Sequence, residues 1–112
     1  MNNTNRLFKI NENAFTAAVV EIAHWHQWLV FHPLPAQTSR GRWVTAMQGN
    51  TGFPDLVLVK PGAGIVFAEL KSAVGRVSEQ QRRWLDSIEA AGGEQHVWRP
   101  IDINNIRKRL EQ

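Results

Sequence analysis

Residues 52–72 read GFPDLVLVKPGAGIVFAELKS. Two mostly apolar, strand-like runs, residues 55–59 and 65–70, flank Lys60-Pro61-Gly62-Ala63-Gly64, whose Pro and Gly content is that of a hairpin connection. The runs are therefore predicted to be strands paired antiparallel. With the hairpin centred on Gly62, Asp55 falls opposite Glu69. Side chains alternate faces along a strand, so Glu69 and Lys71 project to one side while Ala68 and Leu70 project to the other. Directly opposed residues stand about 4.5–5.5 Å apart at Cβ, and two carboxylates that close repel unless one holds a proton or a cation sits between them. Magnesium takes oxygen ligands and keeps several waters, which suits one Asp, one Glu and a main-chain carbonyl such as that of Leu70. Such an ion can acidify a water and stabilise charge on a phosphoryl oxygen. Lys71 would orient or help deprotonate that water, or neutralise developing charge, and the sequence leaves these roles open. A Glu-x-Lys triplet alone is commonplace on a half-exposed strand. Here the acids stand against apolar neighbours (Leu56, Leu58, Val66, Phe67), after a rigid Gly52-Phe53-Pro54 turn.

Outward from the hairpin, Phe15, Ala18, Val19, Ile22, Ala23 and Trp25 recur at helical spacing, with Asn11 or Asn13 available as N-cap. Residues 28–31 form a short apolar strand stopped by Pro33 and Pro35. Between them and the hairpin, residues 33–51 are predicted to be a long loop across the mouth of the site, perforated by an apolar Trp43-Val44 island that could add a strand. Ser78-Glu79-Gln80-Gln81 matches a capping box, Gly92-Gly93 closes the helix it opens, and a strand follows at residues 95–98. Asp102 is expected to cap a last helix with Ile103, Ile106 and Leu110 on one side. The order α-β-β-β-α-β-α describes an α/β fold, a mixed sheet flanked by helices. Residues 1–112 are expected to form a single domain, with residues 1–10 as a flexible tail.

The 112 residues are 43% apolar and 21% charged, the balance of one globular domain. There is no cysteine, so disulfides and zinc-thiolate sites are excluded and a reducing compartment is suggested. Met1 to Asn5 lack a signal-peptide pattern, and no apolar run reaches the roughly 18 residues of a membrane span. A cytoplasmic protein with no membrane partner is expected. The net charge of +3 permits polyanion binding. Arg40 and Arg42 in the loop, and Arg76, Arg82 and Arg83 around the second helix, are candidate phosphate contacts as well as candidate solvated surface. Among the tryptophans, Trp43 is the candidate for stacking on an unpaired base. No Walker or dinucleotide glycine loop is present, so no nucleotide cofactor is expected. His24, His26, His32 and His96 show no ligand spacing relative to the acids.

The run from Gly52 to Val59, then Phe67 to Ser72, Ser78 to Leu85 and Val97-Trp98-Arg99-Pro100 together resemble the PD-(D/E)xK nucleases, specifically the small phage and bacterial VRR-NUC type. The resemblance implies a restriction-endonuclease-like fold, magnesium- or manganese-dependent cleavage of DNA, and Asp55, Glu69 and Lys71 as the motif residues. It also implies a homodimer, a Gln at position 81 near the lysine, and a carboxylate from the first helix. Glu12 and Glu21 are the candidates. At about 100° per residue Glu12 falls near the stripe of Phe15, Val19 and Ile22 while Glu21 points away, which favours Glu12. Ala14 and Ala17 stand where the family often carries a further acid and a Gln. Gln81 lies in the stripe of Trp84, Leu85 and Ile88, facing the sheet, and is equally placed to serve in the capping box.

Overall fold

The computed structural model describes residues 10–34, 36–37, 39–44 and 47–112. In chain order the elements are α1 (Glu12–Trp25), β1 (Leu29–Phe31), β2 (Ala36–Gln37), β3 (Trp43–Val44), β4 (Leu56–Lys60), β5 (Gly64–Leu70), α2 (Glu79–Ala90), β6 (Glu94–Trp98) and α3 (Ile103–Leu110), with a 3-10 turn at Pro100–Asp102. The β4–β5 hairpin has the register expected from its turn: Leu56 faces Ala68, Leu58 faces Val66 and Lys60 faces Gly64. Gly62 takes φ 83°, a left-handed conformation natural to glycine, and Ala63 N donates to Lys60 O at 3.0 Å. Around the hairpin the sheet runs β1-β4-β5-β6, with β1 antiparallel to β4 and β6 parallel to β5. A parallel pair requires a crossover, and α2 supplies it. Within the long 33–51 connection the Trp43-Val44 island does form a strand. It pairs with Ala36–Gln37 as a separate two-stranded ribbon.

Alternation along β5 sorts the layers. Val66, Ala68 and Leu70, with Leu56 and Leu58 of β4, are fully buried against Phe15, Val19 and Ala23 of α1 and Ile106 and Leu110 of α3. On the opposite face Phe67 meets Phe53 edge-on at 6.1 Å between ring centres. Phe53 in turn meets Trp84 of α2 at 5.0 Å, and Leu85 of α2 is buried. Glu69 and Lys71 share the strand parity of Phe67 and so belong to this second face.

Two tryptophans fall differently from their sequence pattern. Trp25, assigned to the apolar stripe of the first helix, is 82% exposed, while Trp28 is 2% exposed and in the core. Gln27, at φ 68°, turns the chain between them. Trp28 Nε1 donates to Leu110 O at 2.8 Å, and the Arg109 guanidinium lies 5.2 Å from the centre of its ring. Arg109 also grips Glu94 through Nε at 2.7 Å and Nη2 at 2.9 Å, which holds the Glu94 carboxyl below its usual range and ties β6 to α3. Asp102 departs from expectation as well: its side chain makes no cap bond to α3 and instead accepts from Arg99 N at 2.9 Å, because the 3-10 turn intervenes. Of the expected tail, residues 1–9 lie outside the described residues, and Ile10 packs against the core.

At the start of α2 the capping box is complete. Ser78 Oγ accepts from Gln81 N at 3.1 Å, and Gln81 Oε1 accepts from Ser78 N at 2.9 Å. Ser78→Ala removes one of these acceptors and is expected to lower stability by about 1 kcal/mol. Urea denaturation should show an earlier midpoint with an unchanged slope.

Candidate active site

Asp55 occupies the position just before β4, where the ladder with β5 has run out. Its carboxylate takes over from the missing backbone: Oδ2 accepts from Leu70 N at 2.9 Å. The N–H and C=O of one strand residue point the same way, so the Leu70 carbonyl is also turned toward Asp55 rather than toward β6. The other side of this strand end is anchored by Lys71 N, which donates to Trp98 O at 3.0 Å.

Asp55 is held there by a clasp between residues 50–54 and α2. Gly52 adopts φ 95°, and a Cβ at that position would stand 2.5 Å from the Gln80 carbonyl carbon. Trp84 Nε1 donates to Asn50 O at 3.2 Å and Thr51 O at 3.1 Å. Phe53 wedges between Phe67 and Trp84, and Pro54 is buried. Beside the clasp a groove of about 260 Å³ is lined by Asn50, Thr51, Gln80, Arg83, Trp84 and Ser87.

Glu69 is 1% exposed, and among the described residues its Oε2 has no hydrogen-bond partner. Burial raises its pKa to about 9. The hydrogen bond and charge of Asp55 and the charge of Glu12 push the same way, and Lys71 pulls it down. The carboxyl pair inferred from the hairpin register is thus a real neighbourhood, with the Lys71 side chain, 9% exposed, close enough to act on it. The cost of leaving a buried carboxyl oxygen without a partner is on the order of 1–3 kcal/mol. In a native fold such an atom marks a place that a water, an ion or a ligand can meet.

Glu12 comes to this end of the molecule through the path of α1. The helix passes by way of Gln27 into β1, whose first residue, Leu29, pairs with Val59 near the hairpin turn. Its 14 residues span about 21 Å, so its N-terminus lies back toward the acids. Asn11 caps it, accepting from Ala14 N at 2.8 Å. Glu21 is exposed farther along α1 and is not among the groups that shift Glu69.

The remaining sequence candidates are distributed around this cluster. Gln81 is half-buried, and its Oε1 is committed to the capping box, which leaves its amide nitrogen as the donating end. Arg76 is exposed between β5 and α2. Arg40, Arg42 and Trp43 are exposed at the β2–β3 ribbon, Trp43 by 68%. The sequence left three positioning elements unassigned: the Trp84 clasp, the contact of Gly52 with Gln80, and Arg99 beyond β6. All three lay within runs quoted above, Gly52 to Val59, Ser78 to Leu85 and Val97 to Pro100, but spacing gave no sign of what each contacts.

Among the described residues no three His, Asp or Glu side chains are grouped tightly enough to cage a metal by themselves. Two carboxyls with one partnerless oxygen and an adjacent carbonyl nevertheless fit a hard divalent cation that keeps waters in part of its shell.

Compared with known protein families, the chain matches the VRR-NUC domain over residues 15–99. It belongs to the VRR-NUC family. Its four-stranded mixed sheet with flanking helices is the restriction-endonuclease-like fold of the PD-(D/E)xK nuclease superfamily, to which VRR-NUC domains belong. Nucleases of this superfamily usually use divalent metals. The matched span includes Asp55, Glu69, Lys71, Gln81 and Arg99 and begins just after Glu12. No curated protein and no solved structure matches the chain. Among the described residues no helix is long and apolar enough to cross a membrane.

Proposed function

We propose that this VRR-NUC protein is a divalent-cation-dependent endonuclease that hydrolyses phosphodiester bonds in DNA, either selectively at branched, junction-like or flapped structures or without structural preference. The observation that carries this reading is the partnerless, buried Glu69 Oε2 beside Asp55. Asp55, Glu69 and the Leu70 carbonyl would hold Mg²⁺ or Mn²⁺, with Glu12 of α1 adding negative charge from nearby. When bound, the cation supplies positive charge that acidifies a water and offsets charge gathering on the phosphoryl oxygens.

The protein's own groups do the rest. Water oxygen attacks phosphorus, one ester P–O bond breaks, and the proton from water must leave the site as the leaving oxygen gains one. Lys71, kept close to the acids by the end of β5, orients that water or shields the phosphoryl charge. Gln81 donates from its amide nitrogen to the scissile phosphate while its oxygen stays in the capping box. Arg40, Arg42 and Arg76 contact the backbone, and Trp43 stacks on an unpaired base. A homodimer would give the protein two such sites, as cutting both strands of a branched duplex requires.

A second reading, a module that binds nucleic acid without cleaving it, is motivated by Ala14 and Ala17 on α1. Incubating the purified protein with branched, flapped and linear DNA in magnesium, beside Asp55→Ala and Lys71→Ala, separates the two. Cleavage by the unaltered protein that falls by about 100-fold or more in both variants is expected. Equal cleavage by all three proteins would overturn the site. Salt-sensitive binding with no product in either metal would favour the binding module.

A further inference from the structure

Lys71 follows the last residue of β5, and its side chain must be held by what comes next, because residues 72–78 belong to neither strand nor helix. A lysine stem is long and its rotamer freedom large, so an ammonium is placed accurately only when packing fixes the stem. Here the packing comes from a tight turn. Gly75 N donates to Ser72 Oγ at 3.0 Å and to Ser72 O at 3.3 Å. A Cβ added to Gly75 would stand 3.5 Å from Lys71 Cδ, so the turn folds back under the lysine stem.

The turn is closed from outside by a single group. Arg99 Nη1 donates to Ser72 O at 2.7 Å and to Gly75 O at 2.8 Å. One guanidinium nitrogen thus ties both ends of the turn to the residue that follows β6. Arg99 is itself fixed, since its backbone N–H donates to Asp102 Oδ2 and the preceding carbonyl, Trp98 O, accepts from Lys71 N. The lysine is therefore bracketed by residues 98 and 99, through its own N–H on one side and through its supporting turn on the other.

We propose that Arg99 is a positioning residue for Lys71, acting through the Ser72–Gly75 turn and not by touching substrate. The proposal rests on the nuclease reading above for its kinetic test and on geometry alone for its spectroscopic one. The guanidinium nitrogen serves both carbonyls with its two hydrogens, whereas a lysine at this position would keep the charge and enough donors but reach less far and so hold the turn less well.

The test uses Arg99→Ala and Arg99→Lys in the full chain, each alone and combined with Lys71→Ala. On DNA that the unaltered protein cleaves, Arg99→Ala is expected to lower kcat by about 10- to 100-fold with KM changed less than about threefold, and Arg99→Lys to fall between. Adding Arg99→Ala to Lys71→Ala should slow cleavage no further, because the residue acts only through the lysine. A multiplicative loss in the double variant would overturn the proposal in favour of direct substrate contact. A lowered melting temperature with unchanged kcat would overturn it in favour of a purely structural bond. In parallel, the Lys71 ¹³Cε resonance, assigned by its loss in Lys71→Ala, should move toward that of free lysine in Arg99→Ala. An unmoved resonance overturns the proposal whether or not DNA is cut. If the unaltered protein cuts no DNA, or Lys71→Ala leaves nothing to measure, this arm decides. Where Arg99→Ala does not fold, Arg99→Lys carries each comparison.

Discussion

Glu69→Gln is expected to abolish cleavage and, in the metal-free protein, to raise stability at neutral and alkaline pH. Burial and Asp55 push the folded Glu69 carboxyl up to about 9 from the 4.5 ordinary for a glutamate. Between those values the folded protein holds a proton that the unfolded chain has released, so stability falls as pH rises. The loss begins near the unfolded pKa and is complete once pH passes the folded one. At about 1.4 kcal/mol per pH unit, the cost carried at pH 7 is on the order of 3 kcal/mol. Glutamine resembles the protonated acid in shape, can donate to Asp55 as the protonated acid does, and has no proton to lose. The stability difference between variant and parent should therefore widen with pH. Urea denaturation in chelator at pH 5.5, 7 and 8.5 measures it, and parallel curves for the two proteins would show that Glu69 is ionised in the fold at no cost. Magnesium should raise the stability of the parent and leave the variant nearly unchanged, because a ligand stabilises only the state that binds it.

Gly52→Ala is the second large effect. The substitution places a side chain at φ 95°, and its Cβ would meet the backbone of Gln80 at 2.5 Å, an atom with no rotamer by which to move aside. Backbone strain and the forced separation together are expected to cost about 3 kcal/mol or more. The displaced segment carries Phe53, Pro54 and Asp55, so the bond from Leu70 N to Asp55 should be lost and cleavage should fall at temperatures where the variant is still folded. Gly62→Ala is the matched comparison: it has a similar φ, 83°, with nothing within 4 Å of the added carbon. It should lose only the strain, about 1 kcal/mol, and keep its activity. Equal effects at the two glycines would mean that the contact with Gln80 does not hold the acid.

The hairpin could be read from sequence because two signals agreed. Period-2 alternation fixed which faces Glu69 and Lys71 and their neighbours take, and a short Pro-Gly turn left one centre for the register. Glu12 was legible in part: helical phase set its side of α1, but its approach to Glu69 depends on where the helix begins relative to the sheet. The tryptophans at 25 and 28 show the limit of periodicity. Both fit an apolar pattern, and the choice between them is made by a positive φ at Gln27 that no composition rule marks. Gln81 satisfied two patterns at once because its two amide ends can serve different partners. The clasp on Asp55 was half legible: the Gly52-Phe53-Pro54 turn stood out, but nothing local marked its partner, since Trp84 reaches carbonyls 33 and 34 residues earlier in the chain. Contacts of that kind are fixed by packing between layers, which one-dimensional spacing does not encode.

The short Lys60–Gly64 connection also has a kinetic side. Closing so small a loop takes on the order of microseconds, long before helices from distant parts of the chain can dock. Asp55 and Glu69 are therefore expected to meet early in folding, while water still surrounds them and before α2 covers their face of the sheet. Ionising both is least costly at that stage, and the cost grows as solvent is excluded until Glu69 takes up a proton. The cost of the buried carboxyl pair is therefore expected to fall on the late side of the folding barrier, where it speeds unfolding more than it slows folding.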